Sequence, residues 1–346
     1  MKTRIVAREH VAGIIAEVGI DTLMDQMIER LTVAAAEFDS TKTLVRERDG
    51  FHYSKPNLGL LEWMPVMHKT DTITIKVVGY HPTNPAERSL PTIISTVSAY
   101  DTYSGHLVGL ADGTFLTALR TGAASAVASR LLASPDSHVL GLVGCGAQSL
   151  TQMHAMLRTF PIDQVLLVDV AQDTMDSFEQ RAQSILPEGV LVKQASLDLV
   201  LETADIVCTS SSIPIGEGPL FRDREMKPWI HFNAVGSDFP GKIELPVELL
   251  HRSLVCPDHL DQAMKEGECQ QLLPDEIGPP LADLIQSPDL YEEARKGPTV
   301  FDSTGWALED RVAINLLLEH SERLGLGLEL QLEDIGDDPL NPYDLA

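Results

Sequence analysis

The chain has 346 residues, 44% hydrophobic and 22% charged, enough to bury a large core and to divide into two domains. Acidic residues outnumber basic ones 51 to 26, a formal charge of −25, which excludes nucleic acid and anionic membrane surfaces as natural partners. An anionic substrate then requires a local cationic pocket, so the few basic residues carry weight.

The opening stretch, MKTRIVAREHVAGIIAEVGI, has scattered charges and lacks the unbroken apolar core of a secretion signal. No run reaches the ~18 apolar residues of a membrane span. Cys145, Cys208, Cys256 and Cys269 show no CxxC or other metal-ligand spacing. They read as free thiols in a reducing cytoplasm, and no metal is expected.

VAREHVAGIIAEVG and IDTLMDQMIERLTVAAAEF space their apolar residues as helices. From Thr43 the pattern changes. LVRERDGFHY, LGLLEWMP, DTITIKVVGYHP, LPTIISTVSAYD and HLVGLADGTFLT are short β-rich runs punctuated by Gly, Pro and Asn, as in an antiparallel meander. TALRTGAASAVASRLLASP is one Ala-rich helix ending in a Pro-containing break. Beyond it, HVLGLVGCG, QVLLVDV, VLVKQAS, ADIVCTSS and WIHFNAVGS read as strands. Helices over AQSLTQMHAMLRTF, DTMDSFEQRAQSIL and LDLVLET separate several of them. This alternation implies a parallel sheet of right-handed βαβ units, hence an α/β fold. WALEDRVAINLLLEHSERLG is an amphipathic helix, and the acidic tail ELQLEDIGDDPLNPYDLA is extended. Both return to the first domain.

Gly144-Cys-Gly146-Ala-Gln-Ser149 follows a strand and opens a helix. Its glycines allow a tight turn and close approach of a pyrophosphate to the helix N-terminus. Ser149 stands where a third Gly or Ala is usual, so context must support the motif. Asp169 supplies it: this acid ends the next strand 23 residues after Gly146, where it can accept from both ribose hydroxyls and repel a 2′-phosphate. The site is expected to take NAD.

Lys76 and Arg120 lie among apolar or small residues, and a buried guanidinium requires a carboxylate partner. A surface lysine and a structural salt bridge are the plain alternatives. Glu62, in LLEWMP, is an ion-pair partner or a site residue. Asp238, in VGSDFPGKIEL, is either a turn residue or an acid/base group at the nucleotide crevice. Ser303 and Thr304, in FDSTGWALED, can donate hydrogen bonds. No Ser-His-Asp arrangement is apparent.

LTALRTGAAS, GLVGCGAQS, HFNAVGSDFPGKIEL, GECQQL and VFDSTGWALED, in this order, resemble the ornithine cyclodeaminase/mu-crystallin family. The resemblance implies a Rossmann NAD-binding domain over 131–310. It also implies a substrate-binding and dimerisation domain over 1–130, joined by 311–346. It further implies a homodimer that converts L-ornithine to L-proline and ammonia with no net redox change. By motif, Lys76 and Arg120 bind the substrate carboxylate, Asp238 is the acid/base, and Ser303 and Thr304 close over the substrate. Thr92, Arg120, Thr121, Ala147, Gln148, Asp169, Thr209, Phe232, Asn233, Ala234, Val235 and Lys242 line the cofactor beside Gly144 and Gly146. The family has a further arginine on the strand preceding that of Glu62. Here the longer stretch KTLVRERDGFHYSKPN offers Arg46 and Arg48, and Arg46 is the expected one. The alternatives are an amino-acid dehydrogenase or cyclic ketimine reductase of the same fold, a lysine cyclodeaminase, and a non-enzymatic mu-crystallin-like binding protein.

Overall fold

The β-rich runs after Thr43 form a sheet in the computed structural model, which describes residues 1–333, 336, 338–341 and 343. The strands are β1 (Thr3–Val6), β2 (Thr43–Val45), β3 (Asp49–Tyr53), β4 (Gly59–His68), β5 (Thr72–Tyr80), β6 (Ile93–Asp101), β7 (Leu107–Asp112) and a terminal strand, Leu328–Leu330. Their order is terminal strand, β1, β7, β6, β5, β4, β2, with β3 also paired to β4. The sheet is mixed and not wholly antiparallel, because β1 runs parallel to β7. TRIV is too short for alternation to reveal it beside the helical pattern that begins at Arg8. The terminal strand comes from the tail expected to be extended. Residues 334–335, 337, 342 and 344–346 of that tail lie outside the described residues.

The second half supplies β8 (Val139–Val143), β9 (Gln164–Val168), β10 (Leu191–Gln194), β11 (Ile206–Thr209), β12 (His231–Ala234), β13 (Leu254–Pro257) and β14 (Thr299–Asp302). They pair in parallel in the order β10, β9, β8, β11, β12, β14, β13. β11, β12 and β14 are buried at every position, as strands covered on both faces should be, and their polar members His231, Asn233, Thr299 and Asp302 are buried with them. The order reverses direction between β8 and β11, the switch point where such sheets bind ligands. None of the helices among the described residues is long and apolar enough to cross a membrane.

The chain divides into two compact units, one of residues 1–19, 39–117 and 310–346, the other of 20–38 and 118–309. This differs from the sequence boundaries at 20–38 and 118–130. The helix Ile20–Ala36 has an apolar face of Leu23, Met24, Met27, Ile28 and Leu31, but periodicity does not say what covers it. Its acids settle the matter: Asp25 takes the Arg158 guanidinium at 2.6 and 2.9 Å, and Asp21 takes His154 at 2.9 Å.

The Ala-rich helix is Gly113–Leu132, started by Asp112, whose carboxylate accepts from Thr114 N at 2.7 Å. Within the second unit it packs closely on the helix Ala147–Thr159, which opens at the glycine turn. A Cβ on Gly122 would lie 2.4 Å from the Thr151 carbonyl oxygen, and that backbone has nowhere to go. Gly122→Val is therefore expected to cost about 1–3 kcal/mol by overpacking and to weaken dinucleotide affinity by displacing the second helix. Denaturant unfolding and a cofactor titration check both effects. A wild-type midpoint would show that the two helices are not held this closely.

Candidate active site

The turn after β8 has the local geometry of a dinucleotide site. Gly144 has φ +90°, and a Cβ there would meet the Ser210 carbonyl oxygen at 2.7 Å. Nothing lies within 4 Å of a Cβ built on Gly146, so the space over the N-terminus of helix Ala147–Thr159 is open. No side chain caps that helix, leaving its first N–H groups for an anion. Ser149, the departure from a third glycine, is fully buried and donates back to the Gly146 carbonyl at 2.6 Å, so its hydroxyl is satisfied without altering the turn. Asp169 is held at the end of β9 by Cys145 N at 2.6 Å and Ala171 N at 2.8 Å. Gln148 lies in the first helical turn and accepts from Thr151 Oγ1 at 3.2 Å. These residues fit the phosphates and ribose of NAD.

Other residues expected to line the cofactor are engaged within the protein. Thr209 ends β11, but its hydroxyl donates to buried Glu244 at 2.6 Å. The Asn233 amide donates to Ser129 Oγ at 2.9 Å, and Phe232 stacks on Phe221 at 6.1 Å; both side chains are core. Both faces of β12 are covered, so the chain meets the crevice only where that strand ends, at Ala234 and Val235. Even there Val235 N donates to Thr209 O and Ala234 O accepts from Ser303 N. Thr121 is buried, and its carbonyl accepts from Gln152. Thr92 sits in the first unit just before β6, its carbonyl accepting from His81 N at 2.8 Å.

In the first unit the structure places Lys76 and Glu62 on one face of the sheet. Lys76 lies opposite Met64 in register, and Glu62 is two residues from Met64 along β4. Lys76 is 1% exposed and its Nζ lies 3.0 and 2.9 Å from the two carboxylate oxygens of Asp310. Glu62 is also buried, 3.7 Å from Arg48 and 3.6 Å from His52. Arg46 is exposed. Of the two arginines, Arg48 and not Arg46 lies beside Glu62: β2 ends at Val45 and β3 begins at Asp49, and the break between them separates their surroundings. A cavity of about 600 Å³ lined by Tyr53, Val77, His81, Arg88 and Thr96 opens on this unit, with none of the expected site residues on its walls.

In the second unit Arg120 is buried and its Nη1 donates to Glu309 at 2.8 Å. Gly305, at φ +94°, lets the loop after β14 pass the guanidinium; a Cβ there would stand 2.9 Å from Arg120 Nη2. Ser303 and Thr304 belong to that loop. Their hydroxyls reach Asp258 at 3.4 and 3.1 Å, and Gly305 N donates to the same carboxylate at 2.6 Å. The side chains expected to meet substrate are thus tied to a buried acid.

Asp238 follows β12 at the carboxyl edge of the sheet. Its side chain is 37% exposed, and the Lys242 ammonium sits 2.9 Å from its Oδ1. A carboxylate that is oriented and reachable is what proton transfer requires. Sequence reasoning missed the acids that hold these parts: Glu309 and Asp310 for the two cations, and Glu244, Asp258, Glu268 and Asp302 for the loops. The signal was there for the first pair, since WALED places two consecutive acids at the start of an apolar helix.

A parallel sheet with a glycine turn at its switch point and an acid at the end of the next strand defines a Rossmann-type dinucleotide-binding protein. The chain belongs to the ornithine cyclodeaminase/mu-crystallin family, whose sequence profile it matches over residues 8–323. It is 39% identical over 346 residues to the L-lysine cyclodeaminase of Streptomyces rapamycinicus, covering 100% of both chains. It superposes with a TM-score of 0.96, at 45% identity and full coverage of both chains, on a lysine cyclodeaminase solved to explain recognition of L-lysine, L-ornithine and L-2,4-diaminobutyric acid. An archaeal alanine dehydrogenase dimer with bound NAD matches at a TM-score of 0.84 and 26% identity, over 96% of this chain and 100% of that one.

Burial pushes the Asp302 carboxyl up to about 7 from 3.8, and neighbouring Asp258 adds to the rise. Folding therefore favours the protonated acid. That contribution is complete below the unfolded value near 3.8 and is lost as pH rises through about 7. The slope is about 1.4 kcal/mol per pH unit inside that window. Asp302→Asn is expected to remove it, so denaturant unfolding from about pH 4.5 to 7 should decline less steeply than in wild type. Parallel profiles for the two proteins would contradict the assignment.

Proposed function

We propose that the chain is an NAD-dependent cyclodeaminase of linear L-α,ω-diamino acids, converting L-lysine to L-pipecolate and ammonia and taking L-ornithine, to L-proline, as a second substrate. The end-to-end match at 39% identity to an L-lysine cyclodeaminase carries this reading and moves the expected preference from ornithine to lysine. Buried Lys76 and Arg120 are assigned to the substrate carboxylate, with Glu62 and Arg48 as further substrate-facing groups. NAD, which the Gly144–Gln148 turn and Asp169 would hold, would supply the hydride-transfer chemistry at the α carbon. Asp238 receives a proton from the distal ammonium, freeing its lone pair to attack the α carbon, and gives the proton back to the departing ammonia. Lys242 orients the Asp238 carboxylate through a 2.9 Å ion pair. A homodimer in the cytoplasm completes the proposal, supported by the dimeric alanine dehydrogenase and by four buried unpaired cysteines.

The test is protein with trace NAD and a panel of L-lysine, L-ornithine and L-alanine. Ammonia and cyclic product should form in equal amounts with no net NADH, fastest with lysine; one methylene is worth about 10–200-fold. NADH accumulating with L-alanine, without cyclic product, would favour a dehydrogenase instead, the second reading that the archaeal match supports. Asp238→Asn should keep NAD affinity and lose turnover by about 10²–10⁴.

A further inference from the structure

The segment Gly267–Leu272, GECQQL, has no task in the reaction just described, yet its side chains grip the loop that carries Asp238. Gln270 holds the apex. Its Oε1 accepts from Gly241 N at 2.7 Å, and its Nε2 donates to the carbonyls of Lys242 at 3.1 Å, Glu266 at 3.0 Å and Gly267 at 2.8 Å. Glu268, fully buried, accepts from Glu244 N at 2.8 Å and Leu245 N at 3.2 Å. Gln271 donates to the Leu245 carbonyl at 3.1 Å. Glu244 closes the base of the loop, accepting from Gly236 N at 2.9 Å and Ser211 N at 2.7 Å. Position 236 must be glycine for this, because a Cβ there would lie 2.3 Å from the Glu244 carboxylate.

The apex is the part that bears on proton transfer. The Lys242 carbonyl accepts from Gln270 and also from Ser237 Oγ, at 2.6 Å. Ser237 precedes Asp238, and Lys242 is the cation paired with it. One carbonyl therefore ties the residue before the acid to the residue that orients the acid, and Gln270 secures that carbonyl and the preceding N–H together. A planar amide can do this because it accepts on one side and donates on the other. A carboxylate in its place would face three carbonyl oxygens.

We propose that Gln270 is a positioning residue for Asp238: its side-chain amide fixes the Gly241–Lys242 backbone so that the Asp238–Lys242 pair keeps one geometry during turnover. This rests on Asp238 being the acid/base. Without the amide the apex is free to shift, and a displacement of about 1 Å at a reacting group costs up to about 100-fold in rate.

The experiment compares Gln270→Ala, Gln270→Glu and Asp238→Asn with wild type. It measures kcat and KM with whichever diamino acid the wild type turns over, NAD affinity by fluorescence titration, and thermal midpoint. Both Gln270 variants should lose about 10- to 100-fold in kcat, and Gln270→Ala should do so with KM, NAD affinity and midpoint close to wild type. Glutamate should rescue nothing. Wild-type kcat in either Gln270 variant, or a loss in Gln270→Ala matched by falls in midpoint and NAD affinity, would overturn the positioning role. If Asp238→Asn itself turned over normally, the acid/base reading would fall first. If that variant is inactive while the Gln270 variants are not, only the present proposal falls.

Discussion

Two consecutive acids at the start of one helix, Glu309 and Asp310, neutralise the two buried cations Arg120 and Lys76. Stripping an ammonium or guanidinium of water costs several kcal/mol, and a well-placed carboxylate offsets most of it. Removing either acid would strip a buried cation of this carboxylate, at a cost of up to about 3–5 kcal/mol. In a chain with a net charge of −25, such pairs keep fixed positive groups in place without general basicity. The neighbouring backbone is shaped around them: Gly305 has no side chain because Arg120 occupies that volume.

The second unit meets a related problem with carboxylates alone. Loops at the carboxyl ends of β11, β12 and β14 carry N–H groups that no strand pairs, and buried acids receive several of them. Glu244 takes Ser211 N and Gly236 N, Asp258 takes Gly305 N, Asp302 takes Cys269 N, and Glu268 takes Glu244 N and Leu245 N. The electrostatic cost shows as upward-shifted carboxyls at Glu244, Asp258, Glu268 and Asp302, each driven first by burial. Gly236 and Gly267 are the matching steric concessions, since a Cβ at either would stand within about 2.5 Å of a carboxylate oxygen (2.3 Å at Glu244, 2.4 Å at Asp302). The result is a densely hydrogen-bonded rim on which Asp238 stands partly exposed.

Much of this was legible in the sequence. The glycine turn, Asp169 and the position of Asp238 after β12 follow from a strand–turn–helix pattern and from where open parallel sheets bind ligands. The parts that were not legible depend on side-chain direction or distant pairing. Asn233 and Phe232 lie next to the crevice in sequence, but both faces of their strand are covered, so both side chains are core. Ser303 and Thr304 looked like ligand donors because Asp258, which occupies them, is some 45 residues away in the chain (45 and 46 apart). Arg46 and Arg48 differ by two positions, and only the break between β2 and β3 separates their surroundings. β1 was hidden by its shortness, and the helix Ile20–Ala36 by a stripe that names no partner.

The central claim is that hydrogen leaves the α carbon and returns to it within one catalytic cycle. L-Lysine deuterated at the α carbon, incubated with the protein and trace NAD, tests this directly by mass spectrometry of the product. The account predicts pipecolate with the deuterium retained at the α carbon. Cyclic product without the label, or label lost to free reduced cofactor with no ring formed, would contradict it.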